Sequence, residues 1–232
     1  MEKIGMIGGL GWESTLDYYK LVNSKVEEAL GGFHSASLLL YSFDFKPILD
    51  LQMQGRWDLV LDAVTEASLS LESAGAEFLI ICSNTMHKIA DSLAERINIP
   101  ILNIIDCVAE ELKIRGNSRI ALLGTRFTMK DGFYADRLRK VHSIESVIPT
   151  DAEADHIQKI IYEELAKGIV HHDSKNYIVG IIERMYGQGI EGVVLGCTEL
   201  PMLVKEHDVA LPLFDTMEIY MDAAVKKHLG HR

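Results

Sequence analysis

The chain has 232 residues, 48% hydrophobic and 25% charged, a globular composition long enough for one or two cores and too evenly mixed for disorder. Asp and Glu number 34 against 23 Lys and Arg, and the net charge of −11 excludes the basic footprint that nucleic acid or an anionic membrane surface requires. No apolar run reaches the roughly 18 residues of a membrane span, and the start lacks a signal peptide's basic and apolar regions. The three cysteines, Cys82, Cys107 and Cys197, have neither disulfide-framework nor zinc-site spacing, so a reducing cytoplasm is the expected compartment and no metal is expected.

Short apolar runs alternate with helix-period stretches, the pattern of βα units on a parallel sheet. The predicted strands are 3–7, 37–41, 78–81, 101–104, 119–123, 145–148, 192–195 and 211–214. Between the second and third, Leu59, Val60, Ala63, Val64, Ala67 and Leu71 recur at three- and four-residue steps and predict an amphipathic helix stopped by Gly75. Ile157, Ile160, Ile161 and Leu165 form a second stripe ending near Gly168, and Ile178, Ile181, Ile182 and Met185 a third ending near Gly187. These stripes carry packing and imply no chemistry.

An internal repeat runs through the strands. Lys3-Ile4-Gly5-Met6-Ile7-Gly8 pairs with Arg119-Ile120-Ala121-Leu122-Leu123-Gly124, 76–83 with 190–197, and Ile99-Pro100-Ile101-Leu102 with Leu211-Pro212-Leu213-Phe214, all at nearly one spacing. The expected fold class is therefore α/β, with two similar parallel-sheet domains related by a pseudo-twofold axis and an active-site cleft between them. The expected boundaries are 1–102 plus 214–232, with the C-terminal helix packing back, and 103–213. In this alignment Ser83 is the counterpart of Cys197.

Both positions end a buried-looking strand and open a helix, in Cys82-Ser83-Asn84-Thr85-Met86-His87 and Gly196-Cys197-Thr198-Glu199-Leu200-Pro201. The carboxyl ends of parallel strands are where α/β sheets bind ligands, and a helix starting there offers N–H groups to an anion. Cys197 is the sharper candidate, because a helix N-terminus lowers a thiol pKa from about 8.5. A lone cysteine is more often a small apolar core residue; the Gly-Cys-Thr-Glu context and the repeat partner favour chemistry. Cys82 points to the other side of its strand and Cys107 sits in an apolar helical stretch, so both are expected in the core. His87 is expected to support packing, and His171, His172 and His231 to be solvated. Asn84 and Thr85 also have a plain role as helix caps. Gly8-Gly9-Leu10-Gly11 lacks the full dinucleotide spacing, so no nicotinamide cofactor is expected.

The segments Gly8-Gly9-Leu10-Gly11-Trp12-Glu13-Ser14-Thr15, Asn84-Thr85-Met86-His87, Leu123-Gly124-Thr125-Arg126-Phe127-Thr128-Met129 and Gly196-Cys197-Thr198-Glu199 resemble, in order and along essentially the whole chain, the aspartate/glutamate racemase family. The resemblance implies two pseudo-symmetric α/β domains, no cofactor, a homodimer and a pair of cysteines facing the substrate α-carbon. Here the first of that pair is Ser83, as in family members with a hydroxyl residue there that act mainly on L-aspartate and L-glutamate. It implies Cys197 as base and Ser83 as proton donor on the opposite face, with N–H donors at Asn84, Thr85, Thr198 and Glu199 holding the intermediate. Leu10, Gln52 and Thr125 are expected in turns lining the substrate, an acidic amino acid, with Arg126 and Lys167 as candidates for its side-chain carboxylate. Rival readings are another reaction on this scaffold, such as maleate isomerisation or a single-cysteine decarboxylation, and a binding protein for acidic amino acids without turnover.

Overall fold

Strand β1 (Ile4–Gly8) is buried at every position, as an apolar run must be when both faces of a parallel sheet are covered. A computed structural model describes residues 1–230 of the chain, so the expectation for His231 lies outside the described residues. Two units result: Met1–Asn103 together with the chain from Tyr220, and Ile104–Ile219.

In the first unit, β1 leads through a glycine turn into α1 (Trp12–Leu30), followed by β2 (Leu38–Ser42), α2 (Phe45–Met53), α3 (Trp57–Ser73), β3 (Phe78–Ile81), a 3-10 turn (Thr85–Ile89) and α4 (Ala90–Ala94). The sheet is parallel in the order β2-β1-β3. The α3 stripe packs as its spacing predicts, through Val60, Val64, Ala67 and Leu71, while Leu59 is exposed and Ser68 is buried with its hydroxyl donating to the Val64 carbonyl at 2.7 Å. Gly75, at φ +92°, ends that helix.

The second unit contains α5 (Ile104–Ile114), β4 (Arg119–Gly124), α6 (Arg126–Lys130), α7 (Phe133–His142), β5 (Glu145–Val147), α8 (Asp151–Lys159), α9 (His172–Tyr186), β6 (Gly192–Gly196), α10 (Leu200–Leu203) and β7 (Leu213–Asp215); α11 (Thr216–His228) closes the chain. Its sheet is parallel in the order β5-β4-β6-β7. The first strand of each unit is central in its sheet, flanked by the second and third, so the sequence repeat is repeated as topology. Each proline-containing match also does the same work: the Pro100 carbonyl accepts from Leu79 N–H at 2.9 Å, and the Pro212 carbonyl from Val193 N–H at 3.0 Å.

Two expectations require correction. Residues 101–104 do not form a strand: Ile101 makes a single bridge to Leu79, Leu102 N–H donates to the Leu79 carbonyl, and α5 begins at Ile104. The boundary expected after 213 lies after Ile219, because Phe214 and Asp215 pair with Val194 and Leu195 in the second sheet. Among the described residues no helix is long and apolar enough to cross a membrane.

Candidate functional site

The glycine turn after β1 is built for close packing. Gly9 has φ +72°, its N–H donates to Thr15 Oγ1 at 2.9 Å, and a Cβ there would lie 2.3 Å from both N and O of Phe43. That crowding requires glycine at position 9. Leu10 follows, buried in the cluster that also holds Ile48 and Met86. Gln52 is not in a turn: it occupies the last turn of α2, buried, with Nε2 donating to Met86 Sδ at 2.9 Å, because the helix continues to Met53.

After β3, Cys82 N–H donates to the Ile7 carbonyl at 2.9 Å and the chain folds tightly, Ser83 N–H reaching the Ile81 carbonyl at 2.8 Å. Cys82 is buried, and burial pushes its thiol far above the ordinary range. Ser83 is half-buried at the start of the turn. His87 Nδ1 donates to the Ser83 carbonyl at 2.9 Å, which places the proton on Nδ1 and makes the imidazole a support for the backbone. The ring is buried, edge-on to Tyr220 at 5.7 Å. Tyr220 Oη accepts from Ile81 N–H at 3.1 Å and donates to the Leu102 carbonyl at 2.6 Å, holding the end of β3 from the C-terminal helix. The first turn after Asn84 closes backbone to backbone, from His87 N–H to the Asn84 carbonyl, with no side-chain cap, in place of the expected Asn84 or Thr85 cap. A 3-10 turn brings the N–H of residue 87 to the 84 carbonyl directly.

In the second unit the equivalent strand ends are Gly124 and Gly196, which are register partners on β4 and β6. A Cβ on Gly124 would lie 2.9 Å from the Gly196 carbonyl oxygen, and one on Gly196 3.0 Å from the Leu123 oxygen. Thr125 and Cys197 follow directly from these two paired strand ends. Thr125 caps α6, its Oγ1 accepting from Thr128 N–H at 3.3 Å. Cys197 is buried, and its Sγ donates to Glu199 Oε2 at 2.7 Å, where Thr198 Oγ1 also donates at 3.0 Å.

The thiol is therefore not the low-pKa group expected from a helix start. Burial, then the Glu199 carboxylate, push it well above the usual value, and the backbone N–H groups of Glu199 and Thr198 oppose this only in part. The physical reason is that α10 has four residues, too few aligned peptides to outweigh desolvation and an adjacent anion. Cys107 is buried on α5 and pushed up to about 12 by burial, with Glu110 and Asp106 adding to it.

Arg126 is exposed and ion-paired with Asp155, Lys167 is exposed, and His171 and His172 are exposed. Three contributors were not foreseen: Tyr220, the Glu199 carboxylate, and Tyr162, which packs against the cluster containing Cys197. The signal for Tyr162 was the run Ile160-Ile161-Tyr162, three apolar residues in succession where a helical stripe would alternate.

The profile of the family described as Asp/Glu/hydantoin racemase matches residues 7–224. The chain is similar to a candidate Asp/Glu racemase of known structure from Yersinia pestis, with 42% identity, a TM-score of 0.94, and 99% of this chain and 100% of that one covered. It is similar to an aspartate racemase homologue from Pyrococcus horikoshii OT3, with 39% identity, a TM-score of 0.87, and 99% and 100% covered. It is also 19% identical over 235 residues to the broad specificity amino-acid racemase of Bacillus subtilis, with 99% of each chain covered.

Proposed function

We propose that this chain, which belongs to the Asp/Glu/hydantoin racemase family, interconverts the enantiomers of an acidic amino acid without a cofactor. Cys197 takes the α-proton of L-aspartate or L-glutamate, and Ser83 returns a proton to the opposite face, directly or through water. The observation that carries this reading is the Sγ–H of Cys197 held 2.7 Å from a carboxylate oxygen of Glu199. A buried thiol is a poor base until its own proton has somewhere to go, and Glu199 supplies the acceptor.

The anion left by α-proton removal needs donors already aimed at it. The N–H groups at Asn84, Thr85, Thr198 and Glu199 are the proposed donors, with Leu10, Gln52 and Thr125 lining the substrate. A serine hydroxyl without an adjacent base cannot readily become an alkoxide, and the imidazole one turn away bonds the Ser83 carbonyl. The L-to-D direction is accordingly the faster one. The preference for aspartate or glutamate draws on the whole-chain likeness to the Yersinia pestis and Pyrococcus horikoshii proteins. A cytoplasmic homodimer is the proposed working form, and sedimentation of the purified protein checks the assembly.

The test is α-proton exchange in heavy water with both enantiomers of aspartate and glutamate. Wild type exchanges L-substrates. Cys197→Ser loses exchange by about 100-fold or more, and Ser83→Cys gains exchange from D-substrates. Tight binding of L-glutamate with no deuterium uptake by the wild type overturns the proposal in favour of a binding protein.

A further inference from the structure

Burial is the largest reason Cys197 stays protonated, and part of that burial comes from an element remote in sequence from the Cys197 motif. After α8 the chain passes through a π turn, Ile160–Glu164, and a 3-10 turn, Leu165–Lys167, before Gly168 at φ +72° ends the segment. A π turn closes its hydrogen bonds one residue later than an α turn. Ile160, Ile161 and Tyr162 thus present successive side chains to one core, the cluster that includes Cys197 and Leu200. Ile160 and Ile161 are fully buried and Tyr162 lies half-buried at the margin. Ser174 Oγ donates to Glu164 Oε2 at 2.6 Å and ties the other side of the turn to α9. The phenol senses the pair: burial pushes its pKa up to about 12, and negative charge on Cys197 and Glu199 adds to the rise.

We propose that Tyr162 is a positioning residue for the reaction centre, its ring closing the Cys197–Glu199 pair against water so that the thiol proton moves only between sulfur and that carboxylate. In the transfer the S–H bond breaks, an O–H bond forms on Glu199 Oε2, and the electron pair stays on sulfur. Charged groups on the neighbouring elements include Glu163 and Glu164 on the π turn, Lys167, exposed on the 3-10 turn, Lys205 after α10, and Asp215 at the end of β7, whose Oδ1 accepts from the N–H groups of Met217 and Glu218. The consequence for turnover rests on the racemase reading; the consequence for the thiol does not.

The experiment follows alkylation of Cys197 by iodoacetamide from neutral to alkaline pH, without substrate, in wild type, Tyr162→Phe, Tyr162→Leu and Tyr162→Ala, alongside α-proton exchange with L-glutamate. Admitting water relieves desolvation, so Tyr162→Ala is expected to be alkylated about tenfold faster at neutral pH, the equivalent of a thiol pKa one unit lower, and to lose exchange. Tyr162→Phe matches wild type in both, and Tyr162→Leu, which keeps apolar bulk should the alanine variant fail to fold, shifts in the same direction as alanine by less. An unchanged alkylation profile in the leucine and alanine variants, or a phenylalanine variant that behaves like alanine, overturns the proposal. If alkylation shifts as expected while wild type exchanges no α-proton, the role of Tyr162 stands and the racemase reading falls.

Discussion

Cys197 and Glu199 share one hydrogen bond, and its two ends make opposite demands. The carboxylate accepts the thiol proton at 2.7 Å, yet its charge disfavours the thiolate once formed. Glu199→Gln separates these effects. The amide keeps an acceptor oxygen for the thiol but carries no charge and takes no proton, so the alkylation profile of Cys197 is expected to move to lower pH while α-proton exchange falls about tenfold or more. The sign follows from the acid involved: a thiol whose pKa is raised in the folded state loses folding stability as pH climbs above the unfolded thiol value, and removing the neighbouring anion reduces that loss. An alkylation profile that stays in place in Glu199→Gln would show that the carboxylate is not felt at the sulfur.

At the scale of the element, what matters is how short the segments at the strand ends are. The 3-10 turn after β3 and the four-residue α10 after β6 offer a few N–H groups and little dipole, so the local chemistry is set by side chains and burial. The glycine turn after β1 is as constrained as these are short. Gly9→Ala places a Cβ against the backbone of Phe43 and forces a non-glycine residue to positive φ, and the two costs together amount to about 2–5 kcal/mol. Urea unfolding checks it: the midpoint drops with the slope unchanged, whereas a wild-type midpoint would mean the Phe43 backbone yields without cost.

At the scale of the molecule, the boundary between the units falls inside α11. From Tyr220 onward the helix belongs to the first unit, bonding Ile81 and Leu102 through one phenol and reaching Glu2 through His228, whose backbone carbonyl accepts from Glu2 N–H at 2.8 Å. Tyr220→Phe keeps the ring contacts and leaves a buried N–H and a partly buried carbonyl without that oxygen, a cost of about 1–3 kcal/mol. Amide hydrogen exchange is expected to accelerate in peptides covering β1 and β3 and to stay unchanged in β4 and β6. Equal acceleration in both sheets would show that the two units open together.

The repeat, the α/β class and the motifs at Ser83 and Cys197 were legible from residue order, because apolar runs bounded by glycine and proline record which segments must be buried on both faces; the central place of each first strand came only with the pairing of the sheets. The run at 101–104 has that composition too, but one strand edge accepts only as many hydrogen bonds as its neighbour offers, and after a single bridge the chain turned into helix. The protonation of Cys197 was not legible either. A motif shows a thiol beside a helix start; burial, a carboxylate two residues on and a tyrosine from a distant π turn exist only once the chain has folded, and those terms decide which atom holds the proton.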